Sequence, residues 1–319
     1  MTKIRETQDS SMIDDRRGQS GGGGGGGGGL GGLGDVLGRM GGGGGLGGGG
    51  GGGGGGLGGG MKMGGGLVGI LVMLAVAFLP KLLAGAKPAV SLGGGSETPA
   101  ANRGGTCDDE LESILCGATI DVQTFWKTEL PKQTGTDYEV VKTVFFSNST
   151  DTGCGQASSQ TGPFYCPVDH LVYFDLDFLV QLQNQFDAKG DLASQYIVAH
   201  EYGHHLQNIL GTNAKVQQAS QNDPNRANQF SVALELQADC FAGIWAKDAA
   251  ARGMFESDKE IEEALNAAAA VGDDRIQMKM QGRVDPESFT HGTSEQRVSW
   301  FRRGYTTGQI DQCNTFAEV

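Results

Sequence analysis

His200-Glu201-Tyr202-Gly203-His204 is the stretch from which both the fold and the chemistry of this 319-residue chain are read. Residues four apart lie on one face of a helix, so in helical form His200 and His204 aim their imidazoles at a single cation. Glu201 sits beside them, placed to take a proton from a water on that cation. Two His and a Glu in this spacing make a zinc site with a general base attached. The flanks support a helix over 194–210. Ser194 or Asp191 serves as N-cap, Ile197, Val198, Tyr202, Leu206 and Ile209 recur at helical spacing, and Gly211 ends the run in a left-handed conformation. Gly203 costs about 1 kcal/mol of helix propensity relative to Ala. The expected reason is steric: a neighbouring element or a substrate comes close there.

A catalytic zinc takes three protein ligands and leaves one position for water. His205 is turned about 100° from His204, so it is expected as a polar contact outside the metal face. Glu235 is the candidate third ligand. It and Asp239 are again four apart, in a second helical pattern that carries Phe230, Val232, Leu234, Leu236, Phe241, Ile244 and Trp245. Two carboxylates on an apolar helix are expensive to bury without partners. A zinc ion for Glu235, and a zinc-bound imidazole N–H for Asp239, would supply them. The competing reading is a solvated acidic face, for which Leu234, Leu236, Ala238 and Cys240 leave little polar surface. His291, in a Gly-containing loop before a helix start, is either a surface histidine or the donor that stabilises an oxyanion. His170 has no partner at metal spacing.

His200 to Gln207, followed by Glu235-x-x-Ala238-Asp239, resembles the bacterial family called putative neutral zinc metallopeptidases. The broader pattern is similar to that of the gluzincins, in which the later Glu is the third ligand. The resemblance extends to Cys154-Gly155-Gln156 through Tyr165-Cys166-Pro167, to Gly272-Asp273-Asp274-Arg275 and to His291-Gly292-Thr293-Ser294, so it covers the chain from about Gly64 onward. It implies a zincin-like domain, Zn2+ as cofactor, peptide or protein substrates, and a short N-terminal arm with one membrane span. Here that arm is far richer in glycine than the family pattern. Carried onto this sequence, the metal ligands are His200, His204 and Glu235, with Glu201 as the catalytic base; His291 stays the candidate second catalytic residue on the reading of the residues given above. The alternative function is non-enzymatic: an anchored envelope-binding or assembly domain with a structural zinc. Glu201, which a structural site does not need, and the lack of a fourth ligand speak against it. A hydrolase acting on a non-peptide amide is a third reading.

Glycine accounts for 57 residues, most of them between Gly21 and Gly66. With no side chains to bury and maximal backbone entropy, residues 1–63 are expected as a disordered arm; a Gly-X-Y period with prolines is missing, which excludes collagen. Residues 64–84 read as a transmembrane helix, since no charge falls between Met63 and Pro80, and the segment begins too far into the chain for a signal peptide. Residues 85–105 are a linker, and 106–319 form the metallopeptidase domain. Lys62 on one side against Lys81 and Lys87 on the other does not set an orientation. The cysteines do: all six lie past the span. Cys154 and Cys166 flank a loop that a disulfide would close, the close spacing of Cys107 and Cys116 suggests a second bridge, and Cys240 is left with Cys313. Disulfides need an oxidising space. The expectation is a single-pass protein of the bacterial inner membrane with its catalytic domain periplasmic or otherwise extracytoplasmic. A net charge of −13 argues against nucleic acid as a partner.

Strands are expected over 139–147 and 171–174, and further helices over 177–188, 228–251 and 257–270, the last with a Ser257/Glu260 capping box. Thr293 and Gln296 cap a final helix that runs to Arg303 and ends at Gly304. This is an α+β domain dominated by helix. The strand ahead of the metal helix is the expected cleft edge on which a peptide would pair.

Overall fold

A computed structural model describes residues 9–18, 106–158, 161–186, 190–255 and 258–318. Of the arm expected to be disordered over 1–63, residues 9–18 are described and contain a strand; the glycine-rich tract, the apolar span at 64–84, the linker and Ser257 lie outside the described residues. Among the described residues, no helix is long and apolar enough to cross a membrane.

Helix dominates, as the α+β reading requires, with a small sheet beside it. α1 (Glu110–Thr134) was not foreseen, although Leu111, Ile114, Leu115, Ala118, Val122, Trp126 and Leu130 recur at steps of three and four. Asp109 caps it by accepting from the Glu112 N–H, and Gly135 ends it at φ 73°. α2 (Leu176–Phe186), α3 (Asp191–Ile209), α4 (Thr212–Asn222), α5 (Ala227–Ala251), α6 (Asp258–Ala270), α7 (Asp273–Gln281) and α8 (Ser294–Thr307) follow. The metal motif is on α3, and the Glu235/Asp239 pair is on α5. Leu115, Trp126, Tyr196, Tyr202, Phe241, Trp245 and Phe301 fill the core between α1, α3, α5 and α8.

Two glycines set how closely these helices approach. A Cβ on Gly203 would lie 3.0 Å from the Cα and the carbonyl oxygen of Ala238, so the neighbour that needs the space is α5. A Cβ on Gly304 would lie 1.9 Å from the Cys240 carbonyl oxygen. Gly304 is therefore a packing residue rather than a helix end: α8 continues to Thr307, and Gly308 at φ 69° terminates it. The Thr293/Gln296 capping box is present as read.

The sheet has four strands in the order β1-β2-β6-β5: β1 (Ile13–Asp15), β2 (Thr143–Phe146), β5 (Phe164–Cys166) and β6 (Leu171–Asp175). β1, β2 and β6 are parallel, and β5 runs antiparallel to β6. β3 (Ser149–Thr152) and β4 (Gly155–Ser158) form a separate hairpin. The expected strand at 139–147 shortens to β2, because the Val141 N–H is taken by the Gln123 side chain and the Glu139 carbonyl by His205. The expected cleft edge is corrected too. β6 is bonded by β2 on one side and β5 on the other, so it has no free edge to offer a peptide. The three cysteine pairs 107–116, 154–166 and 240–313 stand at disulfide distance.

Candidate metal centre

Because α3 packs on α5 at Gly203 and Ala238, His200 and His204 face Glu235 directly. His200 Nε2 lies 3.2 Å from one Glu235 carboxylate oxygen, and His204 Nε2 lies 3.4 Å from the other. One ligand atom from each of the three residues falls within 4.8 Å of the others. Ligand atoms at 2.0–2.2 Å from a tetrahedral zinc stand about 3.3–3.5 Å apart, so the cluster has the dimensions of a zinc cage. The donor set, two imidazoles and a carboxylate, is one that zinc takes in catalytic sites. Among the described residues no fourth side chain joins the group.

The other ring nitrogens are already committed. His200 Nδ1 donates to Asp239 Oδ1 at 2.9 Å, and His204 Nδ1 donates to Gln207 Oε1 at 2.9 Å. The Gln207 amide is oriented by its own N–H, which donates to the Leu234 carbonyl at 2.7 Å. Both imidazoles are thereby held in the tautomer that leaves Nε2 free for a metal.

Charge bookkeeping points the same way. Glu201, Glu235 and Asp239 are all buried, and one cation, Arg297, lies among them. Arg297 donates to both oxygens of Asp239, from Nε at 2.8 Å and from Nη2 at 3.0 Å, and its Nη2 lies 3.7 Å from Glu235. Three carboxylates against one guanidinium leave a deficit that a dication removes. Protons take its place otherwise: burial pulls the His200 pKa down, but Asp239 and Glu235 outweigh it and hold the ring at about 9. Burial likewise opposes the Glu235 and Asp239 charges. His204 and His200 nonetheless hold the Glu235 carboxyl well below its usual range, and Arg297 with His200 lowers that of Asp239. Burial pushes the Glu201 carboxyl up, with the two histidines opposing.

Tyr196 and Arg297 belong to the site and were not named from sequence; Gln207 and Asp273, quoted there only within the family resemblance, were given no role. Tyr196 donates its hydroxyl to Asp239 and stands four residues before His200, so the 196/200/204 spacing carried the signal. Arg297 comes from α8, a contact that no local spacing reveals. Asp273 holds the His291 loop: one of its oxygens accepts the backbone N–H groups of Thr290, His291 and Gly292, and the other lies 3.0 Å from His291 Nδ1. Asp274 accepts from both the backbone and the hydroxyl of Ser294. The two short motifs read separately in the sequence thus lock each other. Burial lowers the His291 pKa, but Asp273 and Glu235 raise it past its ordinary value. His205 is buried away from the cluster, with Nε2 donating to the Glu139 carbonyl at 2.7 Å and Nδ1 3.1 Å from the Tyr165 hydroxyl. His170 pairs with Glu139 at the surface.

Comparison with known proteins agrees with this geometry. The profile of the family described as "Putative neutral zinc metallopeptidase" matches residues 39–316. The uncharacterized protein YpfJ of Escherichia coli (strain K12) is 47% identical over 210 residues, which cover 66% of this chain and 71% of that protein. The uncharacterized protein Rv2575 of Mycobacterium tuberculosis is 46% identical over 214 residues, 64% of this chain and 69% of the relative. No solved structure matches.

Proposed function

This chain belongs to the putative neutral zinc metallopeptidase family, and from that membership we propose that it is a zinc-dependent endopeptidase attached to a bacterial membrane. The observation that carries the reading is the convergence of His200, His204 and Glu235, with Glu201 beside them and no fourth ligand among the described residues. A structural zinc takes four protein ligands.

Bound zinc would lower the pKa of its water toward about 7 and polarise the scissile carbonyl. Glu201 takes the proton of the attacking water and delivers it to the leaving amine. Its buried position suits this exchange, since burial raises the affinity of its carboxylate for a proton. His291, oriented by Asp273, donates to the carbonyl oxygen as negative charge develops there. Asp239 and Gln207 keep His200 and His204 in the metal-binding tautomer and angle.

The same proposal puts the domain in an oxidising, extracytoplasmic space. Its support is the pairing of all six cysteines. Attachment is assigned to the apolar residues 64–84.

The test is hydrolysis of an unfolded protein substrate by the purified full chain, with zinc content measured on the same samples. Wild type should cleave, while Glu201→Gln should bind one zinc per chain and not cleave. Equal turnover in both would overturn the mechanism, and zinc-loaded wild type that hydrolyses no peptide bond would return the reading to a structural zinc.

A further inference from the structure

Residues 9–18 stand before the whole glycine-rich arm, yet they complete the sheet of the domain. The Thr143 N–H donates to the Met12 carbonyl at 2.9 Å, and the Arg16 N–H donates to the Phe145 carbonyl at 2.8 Å. The register is parallel, with Ile13 opposite Thr143, Asp14 opposite Val144 and Asp15 opposite Phe145. Ile13 is buried in the same core as Leu115, Phe145 and the Cys107–Cys116 pair. Side chains extend the attachment to four further residues. Arg16 reaches the Asp151 carbonyl at 3.2 Å and lies over the Tyr173 ring; the Thr106 hydroxyl donates to Asp15 at 3.2 Å. Arg17 lies between Asp15 and Glu112.

The Glu112 contact shows that this segment is part of the domain rather than a chance strand. Glu112 sits in the first turn of α1 with its side chain only 7% exposed, and the Arg17 side chain is 9% exposed. A buried carboxylate is costly without a cation. Besides Arg17, Glu112 accepts only the Cys107 N–H at 3.1 Å among the bonds described. The domain carries a buried acid whose cation comes from the far end of the chain.

That arrangement constrains topology. Between Arg17 and Thr106 lies the apolar segment 64–84, which a single-pass protein would use to cross. One crossing would put β1 and β2 on opposite faces of a hydrocarbon layer about 30 Å thick, whereas their hydrogen bonds span about 3 Å. The two arrangements exclude each other. We infer that residues 9–18 and the domain lie on the same side of the membrane. It rests on the membrane attachment proposed above, not on peptidase activity, and is offered in place of the single-pass topology expected from hydropathy.

Every native cysteine is paired, so one introduced thiol reports its own position. Ser11→Cys and Val168→Cys, both at exposed sites, are each placed in the full chain and treated with a membrane-impermeant maleimide, before and after lysis of spheroplasts. Both positions are expected to label under the same condition, to within about twofold. Labelling of one only on intact spheroplasts and of the other only after lysis overturns the inference. Hydrogen exchange on membranes carrying the wild-type chain gives the second readout. Protection of the Arg16 and Thr143 amides by more than tenfold over an unpaired chain is expected, and exchange of both at the unpaired rate overturns the inference.

Discussion

Arg297→Met tests whether the buried charges of the metal centre are balanced as the geometry implies. Methionine keeps much of the length and volume of arginine while removing the cation. Asp239 would lose two of its four hydrogen bonds, the 2.8 and 3.0 Å donations from Arg297, and keep those from Tyr196 and His200. Glu235 would lose a cationic neighbour at 3.7 Å. The Asp239 side chain is fully buried and that of Arg297 is 3% exposed, so water cannot replace the lost partner. Breaking one partner of such a pair costs about 3–5 kcal/mol, because an uncompensated charge stays behind. For a domain of this size that is a fall in Tm of roughly 6–20 °C. The assay is thermal and urea unfolding of zinc-loaded wild type, Arg297→Met, Asp239→Asn and the double variant. Asp239→Asn should also destabilise, and the double variant should lose at least about 1 kcal/mol less than the sum of the singles, since removing both charges leaves neither one stranded. A loss below about 1 kcal/mol in Arg297→Met, or strict additivity in the double variant, would refute the charge-balance argument.

Glu235→Ala should lower zinc affinity and hydrolysis together, whereas Asp239→Ala should weaken zinc binding by about 10–100-fold by freeing the His200 ring; competition against a chelator of known affinity measures both. Gly304→Ala should destabilise the domain by about 1–3 kcal/mol or more, since its methyl would meet the Cys240 carbonyl and force α8 off α5, and equal unfolding midpoints for variant and wild type would count against that close approach. Acid should loosen the N-terminal strand. Burial opposes the Asp15 charge, but Arg17 outweighs it and holds the carboxyl below the ordinary 3.8. The stability this pair contributes is therefore fully present above that value and is lost as pH falls through the lower, folded one. Hydrogen exchange of residues 12–17 against pH, with Asp15→Asn as the pH-insensitive reference, checks the sign.

Local spacing carried the core of the site. His200, His204, Glu235 and Asp239 are each four residues from a partner on the same helix, and only the packing of α3 on α5 was needed to bring the two pairs together. Gly203 announced that packing through its missing side chain. What spacing could not carry is contact between distant helices: Arg297 has no patterned partner on α8, and its role exists only where α8 meets α5. Gly304 was misread for the same reason, because a glycine near a helix end and a glycine at a helix crossing look alike in sequence. α1 was missed although its apolar period was visible, and Pro131 in its last turn interrupts an otherwise regular pattern. Three-residue β1 lies too far from the domain in the chain for any local rule to assign its partner.

Zinc-edge anomalous diffraction from crystals of the zinc-loaded full chain measures directly whether a zinc is held by three side chains with one position open. The expected result is one peak per chain, about 2.0–2.2 Å from His200 Nε2, His204 Nε2 and a Glu235 carboxylate oxygen, with no other side chain in contact. A peak coordinated by a fourth side chain, or one that leaves Glu235 unbound, would contradict it.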